Sequence, residues 1–251
     1  MRPIKTYLLL IVIFHLLISG FMGENKNRRG KIKKEEVRDI KKYKNRFSLA
    51  GKMLSNGNYK GAAREYRILM KRISEDTTLD KKNTNQFLAS AYMGFGFALD
   101  FLNEDRDALK ILKNAMRIDS NLEKNLMLQI TIGAIYGDLG LIDKEVEYYQ
   151  KAIEVDALFH PAYLNLAMAL GEQGDYIKAI QVLERVIKIK PDYAKAYYQL
   201  GKGYEITKEL NKSIECYFIA QRLYSKSKDE KIKNEINYRL NLLLKKSGRA
   251  S

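Results

Sequence analysis

Residues 160–192 read HPAYLNLAMALGEQGDYIKAIQVLERVIKIKPD, and residues 194–221 follow with AKAYYQLGKGYEITKELNKSIECYFIAQ. Tyr163, Leu166, Ala167 and Leu170 are answered by Tyr197, Leu200, Gly201 and Tyr204, each 34 residues further on. A recurrence of this length marks an array of structural units, because one unit cannot bury its apolar face without a neighbour. Carried along the chain in the same phase, the period gives five units: 43–76, 89–122, 126–159, 160–193 and 194–227.

The eighth position of these units holds Ala50, Gly96, Gly133, Ala167 and Gly201, small without exception. The seventh holds Leu49, Phe95, Ile132, Leu166 and Leu200, and the eleventh Met53, Leu99, Tyr136, Leu170 and Tyr204. Positions 7, 8 and 11 share one helical face and form an inward stripe. In the second half of each unit, position 20 holds Ala62, Ala108, Glu145, Ala179 and Ser213, and position 24 holds Tyr66, Leu112, Tyr149, Leu183 and Tyr217. The segments GNY at 57–59 and GDY at 174–176 supply turns, the glycine ending one helix and Asn58 or Asp175 capping the next.

This pattern resembles the tetratricopeptide repeat family, in which two antiparallel helices pack per unit and small residues at positions 8 and 20 let the backbones approach. A large residue at either place would hold the helices apart. The resemblance implies an all-α, right-handed helical-hairpin solenoid of about five units covering 43–227. It is closest in units three to five. Glu145 at a small position, Arg46 and Gln129 in place of a large aromatic, and the lack of a closing proline at Ser74, Ser120, Ala157 and Ser225 depart from it. The polar run 77–88 reads as a loop with a helix starting near Thr84, and 123–125 as a smaller insertion. Beyond 227, Ile232, Ile236, Leu240, Leu243 and Leu244 fall on one face, as a helix capping the last unit requires, within a capping helix and basic tail at 228–251. Ile32, Val37, Ile40 and Phe47 predict a basic amphipathic helix leading into unit one, within a basic segment at 24–42.

The 251 residues carry a net charge of +15, but the charge is not spread evenly. Residues 24–46 hold eleven basic and four acidic side chains and 222–251 hold nine and three, while 47–221 sum to zero. A duplex-binding fold would spread its cations over a folded face, so nucleic acid is disfavoured as a partner; the basic flanks suit an anionic membrane surface or solvated tails. The single cysteine, Cys216, excludes an internal disulfide and a multi-thiolate metal site, and its place beside Tyr217 reads as a packing thiol.

Residues 1–23, MRPIKTYLLLIVIFHLLISGFMG, have the basic start and apolar run (Tyr7–Ile18) of an export signal, without small residues placed well for cleavage. Uncleaved, Ile4–Met22 just spans a hydrocarbon core of roughly 30 Å at about 1.5 Å per residue. A signal peptide or transmembrane anchor is expected here, placing the repeats on the periplasmic side of an inner membrane, with the cytoplasmic face as the alternative. His15 within this stretch reads as incidental.

No nucleophile and base set, metal-ligand pair or phosphate loop is present, and His160 reads as a turn residue before Pro161. No catalytic site, metal or cofactor is expected, and the chain reads as a non-enzyme. In the resembled family the first helices line a concave groove with positions 2, 5, 9 and 12. Transferred here, that implies Met93, Phe97, Ile130, Leu164, Met168 and Tyr198, with Lys195 and Lys202 at a basic end. Such a lining suits a helix or peptide of a partner protein associated with the membrane or envelope. The chain's own flanking helices are the other candidate occupants. One branch of the family grips a C-terminal carboxylate with five polar side chains; the matching places hold Ile130, Ala134, Asn165, Lys195 and Gln199, and only Asn165 and Lys195 agree. A tail-clamping role is therefore not expected. Basic-flank binding to anionic lipid or nucleic acid, and self-association of the solenoid, stand as alternatives to the adaptor reading.

Overall fold

The computed structural model describes residues 34–248, with side chains from Tyr43 onward. The expected anchor at 1–23, the basic residues 24–33 and the tail at 249–251 lie outside the described residues, as do the side chains of Ile32, Val37 and Ile40. All regular structure among the described residues is helical, and it falls into two compact units divided between Leu139 and Gly140.

The first unit holds α1 (Lys34–Ser55), α2 (Tyr59–Glu75), α3 (Lys81–Phe101), α4 (Asp105–Ile118), a 3-10 turn (Ser120–Lys124) and α5 (Leu126–Asp138). The second holds α6 (Ile142–Val155), α7 (His160–Gln173), α8 (Tyr176–Ile189), α9 (Ala194–Ile206), α10 (Leu210–Tyr224) and α11 (Glu230–Lys246). The second helix of every repeat begins at position 17: Tyr59, Asp105, Ile142, Tyr176 and Leu210. Two residues earlier the backbone turns left-handed each time, at Gly57, Asn103, Gly140, Gly174 and Lys208. Only two of the five were legible as turns beforehand, since the other repeats lack the Gly-polar-Tyr signature. Lys208 holds the left-handed conformation with a Cβ, which costs about 1–2 kcal/mol relative to glycine.

The small positions bring the paired helices together. A Cβ added at Gly96 would run into Leu112, and one at Gly94 into Tyr66. At Gly201 it would stand 2.8 Å from the Tyr217 ring. Ser213 at position 20 is fully buried, and its Oγ donates to the Gly201 carbonyl at 2.8 Å, so the hydroxyl stays small and is satisfied across the hairpin. Positions 20 and 24 are buried in all five repeats, Glu145 included.

Unit one of the repeat corrects the sequence reading. The helix expected to lead into it and its own first helix are one element, α1, and the buried stripe is Tyr43, Ala50 and Leu54, with Phe47 half-buried. Leu49 is 46% exposed and Met53 is only half-buried, although both stand at inward positions. The reason lies in what those positions meet elsewhere. Phe95 at position 7 lies under Arg67 of α2, Tyr136 at position 11 under Lys113 of α4, and Tyr204 at position 11 donates to Glu184 of α8 at 2.7 Å. Positions 7 and 11 thus pack on the second helix of the preceding repeat, and among the described residues no repeat precedes α1. The run expected as a loop is shorter than predicted: Asp80 caps α3 by accepting from the Asn83 amide at 2.8 Å, so the helix starts at Lys81 rather than near Thr84.

At the other end α11 caps the second unit as expected, with Ile236, Leu240 and Leu243 packed on Ile214, Tyr217 and Ala220. An ion-pair network adds to this contact: Arg239 reaches Glu205 at 3.0 Å and Glu235 at 2.6 Å, and Tyr217 Oη donates to Glu205 at 3.1 Å.

Replacing Gly201 by Val drives a branched side chain into Tyr217 and is expected to lower the unfolding free energy by about 1–3 kcal/mol. Gly171→Ala, where a Cβ meets nothing within 4 Å, is expected to raise it by about 0.5–1 kcal/mol through helix propensity. Urea midpoints of the two variants against the parent check both signs.

Candidate functional site

The first helices carry the residues expected to face a partner, and the structure places them in two different situations. In the first unit Met93 and Phe97 are 4% and 2% exposed on α3, and Ile130 is 2% exposed on α5. In the second unit Leu164 is likewise buried on α7. These four are buried and form no open lining. Met168, Lys195, Tyr198 and Lys202 are half-exposed.

Met168 and Lys202 meet in a cleft of about 280 Å³ between α7, α8 and α9. Ala167, Met168, Tyr176 and Ile206 make its apolar part, and Glu172, Gln199 and Lys202 its polar rim. Gly171 and Gly203 keep it open, since neither adds a side chain. Tyr198 is directed elsewhere: it packs on the cluster capped by α11, with its ring 6.1 Å from Tyr217 and Lys202 Nζ 5.7 Å from its centroid. One side of its ring is therefore covered by the cluster that α11 completes. Burial lowers the pKa of the Lys195 ammonium from its ordinary value. Asn165, the other residue that matched a carboxylate grip, is buried on α7.

His160 is the first residue of α7 and not a solvated turn residue; its ring meets Tyr193 edge-on at 4.8 Å. Burial, with Lys190 second, holds its pKa below the ordinary 6.5. Cys216 is a buried thiol, and burial pushes its pKa up to about 12, so it is no nucleophile at neutral pH.

One cluster was missed from sequence. Asp100 near the end of α3, Asp105 at the start of α4 and Asp138 at the end of α5 bring one carboxylate oxygen each to within 4.8 Å of one another. Acidic side chains in the sequence gave no sign of pairing, because 38 residues separate the outermost two. The one available signal was Asp100 standing in the otherwise apolar run FALDF at 97–101. Three such carboxylates suit a cation, either a metal ion or basic side chains.

The geometry defines a helical-hairpin repeat protein. Sequence profiles described as tetratricopeptide repeat match residues 128–157 and 148–181, and one described as TPR repeat matches 169–205. Among curated relatives, the probable UDP-N-acetylglucosamine–peptide N-acetylglucosaminyltransferase SPINDLY of Hordeum vulgare is 30% identical over 148 residues, 56% of this chain. The chain spans only 15% of that relative's length. Among solved structures, MamA is similar with a TM-score of 0.60 at 20% identity over 73% of this chain and 92% of that one. YrrB, a TPR protein with an unusual peptide-binding site, has a TM-score of 0.57 at 19% identity over 76% and 93%. By these profiles residues 128–205 are tetratricopeptide repeats.

The lowered His160 value has a consequence for stability. The unfolded chain takes up a proton near pH 6.5 while the folded imidazole stays neutral, so stability present above that pH is lost as pH falls through the folded value. The urea midpoint is expected to drop between about pH 7.5 and pH 5.5, and His160→Gln to flatten part of that slope.

Proposed function

We propose that this protein is an interaction scaffold at a bacterial cell envelope that holds a helix or extended peptide of one partner protein against the first helices of its repeats. Tetratricopeptide repeats in general mediate protein–protein interaction, and the fold is typically a non-catalytic module. The observation that carries the proposal is the cleft between α7, α8 and α9, apolar at Met168 and Ile206 and charged at its rim. A thioether adapts to irregular apolar shapes, and the opposed charges of Lys202 and Glu172 would orient what enters. Peptide binding by YrrB, a relative in fold, is consistent with such a use.

The envelope part of the proposal rests on the composition of residues 1–23, which lie outside the described residues. No described helix is long and apolar enough to cross a membrane. With the export-like segment leading, the repeats stand on the periplasmic side of the inner membrane and the partner is an envelope protein; the cytoplasmic face is the alternative. The neutral charge of residues 47–221 speaks against a nucleic-acid partner.

Two measurements test this. A reporter active only outside the cytoplasm, fused after Ser251, is expected to give signal, and silence would move the repeats to the inner face. In cross-linked cells, Met168→Glu with Lys202→Glu is expected to cut partner recovery about tenfold. Tyr238→Glu, at a site 66% exposed on α11, is expected to leave recovery unchanged. Equal recovery from all three proteins would exclude the cleft.

A further inference from the structure

A second opening lies in the second unit, on faces of α7 and α8 other than those that line the cleft. It is a groove of about 450 Å³ between α6, α7 and α8. Tyr163 and Leu166 of α7 are buried and form its floor, and Ile153 of α6 and Val182 of α8, both half-buried, flank them. Four exposed polar side chains make the rims, Gln150 and Glu154 on α6 and Gln181 and Arg185 on α8. Spacing by four puts each pair on one stripe of its helix. The groove and the cleft share no lining residue: on α8 the cleft takes Tyr176, Ala179 and Leu183.

The charges of this groove differ from those around them. On the same helices Lys144 and Lys151 both pair with Glu147, and Lys178 pairs with Asp175. Glu154 and Arg185, on facing walls, make no ion pair or side-chain hydrogen bond among the described residues, with each other or with a neighbour. Arg185 is nonetheless held in place. Its guanidinium stands over the Tyr163 ring, 5.1 Å from the centroid, and the Tyr163 hydroxyl fixes that ring by donating to the Ala157 carbonyl at 3.0 Å. A guanidinium held over a ring keeps its N–H donors for a second partner, and their planar fork matches a carboxylate.

The rims select the occupant. A phosphate backbone or an acidic strand satisfies Arg185 and is repelled by Glu154, and a basic strand meets the reverse. A wholly apolar molecule fills the floor and leaves both charges unmatched. A peptide with an acidic residue on one side of an apolar one and a basic residue on the other matches the floor and both walls. Gln150 and Gln181 each offer an amide donor and an acceptor to its main chain.

We propose that this groove is a second docking surface, taking an extended segment of a partner protein. In that segment an apolar residue, seated on Tyr163 and Leu166, lies between an acidic residue at Arg185 and a basic one at Glu154. The inference goes beyond the cleft and does not rest on it. Because the two openings use separate faces of α7 and α8, one chain holds two segments at once.

The test uses the full chain and a synthetic probe, acetyl-Gly-Asp-Leu-Lys-Gly-amide with a photoreactive leucine analogue at its centre. Irradiation is expected to join it to peptides spanning 150–154, 163–166 or 181–185, as read by mass spectrometry. Arg185→Glu and Glu154→Lys are each expected to lower that adduct about threefold, the scale of an exposed charge contact, and the two together to restore it. Both residues are exposed, and equal circular dichroism checks that the variants fold alike. Probes with Asp at both charged places, or Lys at both, are expected to give about threefold less adduct. Adducts confined to other surfaces, the cleft included, or an adduct indifferent to the charge changes would overturn the proposal. Sedimentation showing a dimer that Arg185→Glu breaks would assign the groove to a second copy and overturn it as well. The cleft is tested separately: Met168→Glu with Lys202→Glu is expected to leave this adduct unchanged. Loss of the adduct with Met168 and Lys202 still needed for partner recovery rejects only this inference, and the reverse result rejects only the scaffold reading.

Discussion

The helices of each hairpin can pack only as closely as positions 8 and 20 allow. Where Gly96 faces Leu112, or Gly201 faces Tyr217, a backbone meets a large side chain with no Cβ between them. The large residue at position 24 is then fully covered, as Tyr66, Tyr149 and Tyr217 are at no more than 1% exposure. Burying an aromatic ring is one of the larger stabilising contributions a single side chain makes, and it depends here on a neighbour having almost no side chain. The same approach lets Ser213 reach the Gly201 carbonyl, which turns a polar group at a tight place into a cross-hairpin bond.

From that constraint follows the difference between inner and terminal repeats. Once a hairpin is closed, positions 7 and 11 project toward the preceding second helix, and they are buried wherever one exists. Leu49 and Met53 occupy those positions in α1 without such a neighbour among the described residues, and they stay partly in water. At the other end α11 supplies the missing neighbour, and Arg239 ties it to Glu205 and Glu235. It also covers part of Tyr198. In the second unit the cap packs on Tyr198, while Met168 and Lys202 line the cleft between α7, α8 and α9.

Function divides along similar lines. The open cleft lies between α7, α8 and α9, and the buried apolar stripes lie on α3 and α5. Cys216 is buried with its thiol held protonated, and the His160 ring packs edge-on against Tyr193. Asp100, Asp105 and Asp138 bring three carboxylates together on the first unit.

The period of 34 residues, the small positions and the turn glycines were enough to derive hairpins, their order and the capping role of α11, because those features arise from contacts within one unit or with its immediate neighbour. The left-handed turns at Asn103 and Lys208 were hidden, since position in the hairpin imposes that conformation on residues that do not prefer it. Which of the eight expected contact residues stand open and which are covered was decided only in three dimensions. So was the meeting of Asp100, Asp105 and Asp138, which lie on three separate helices. Exposure and charge convergence depend on what every other element leaves uncovered, and a repeat pattern, being local, carries no record of that.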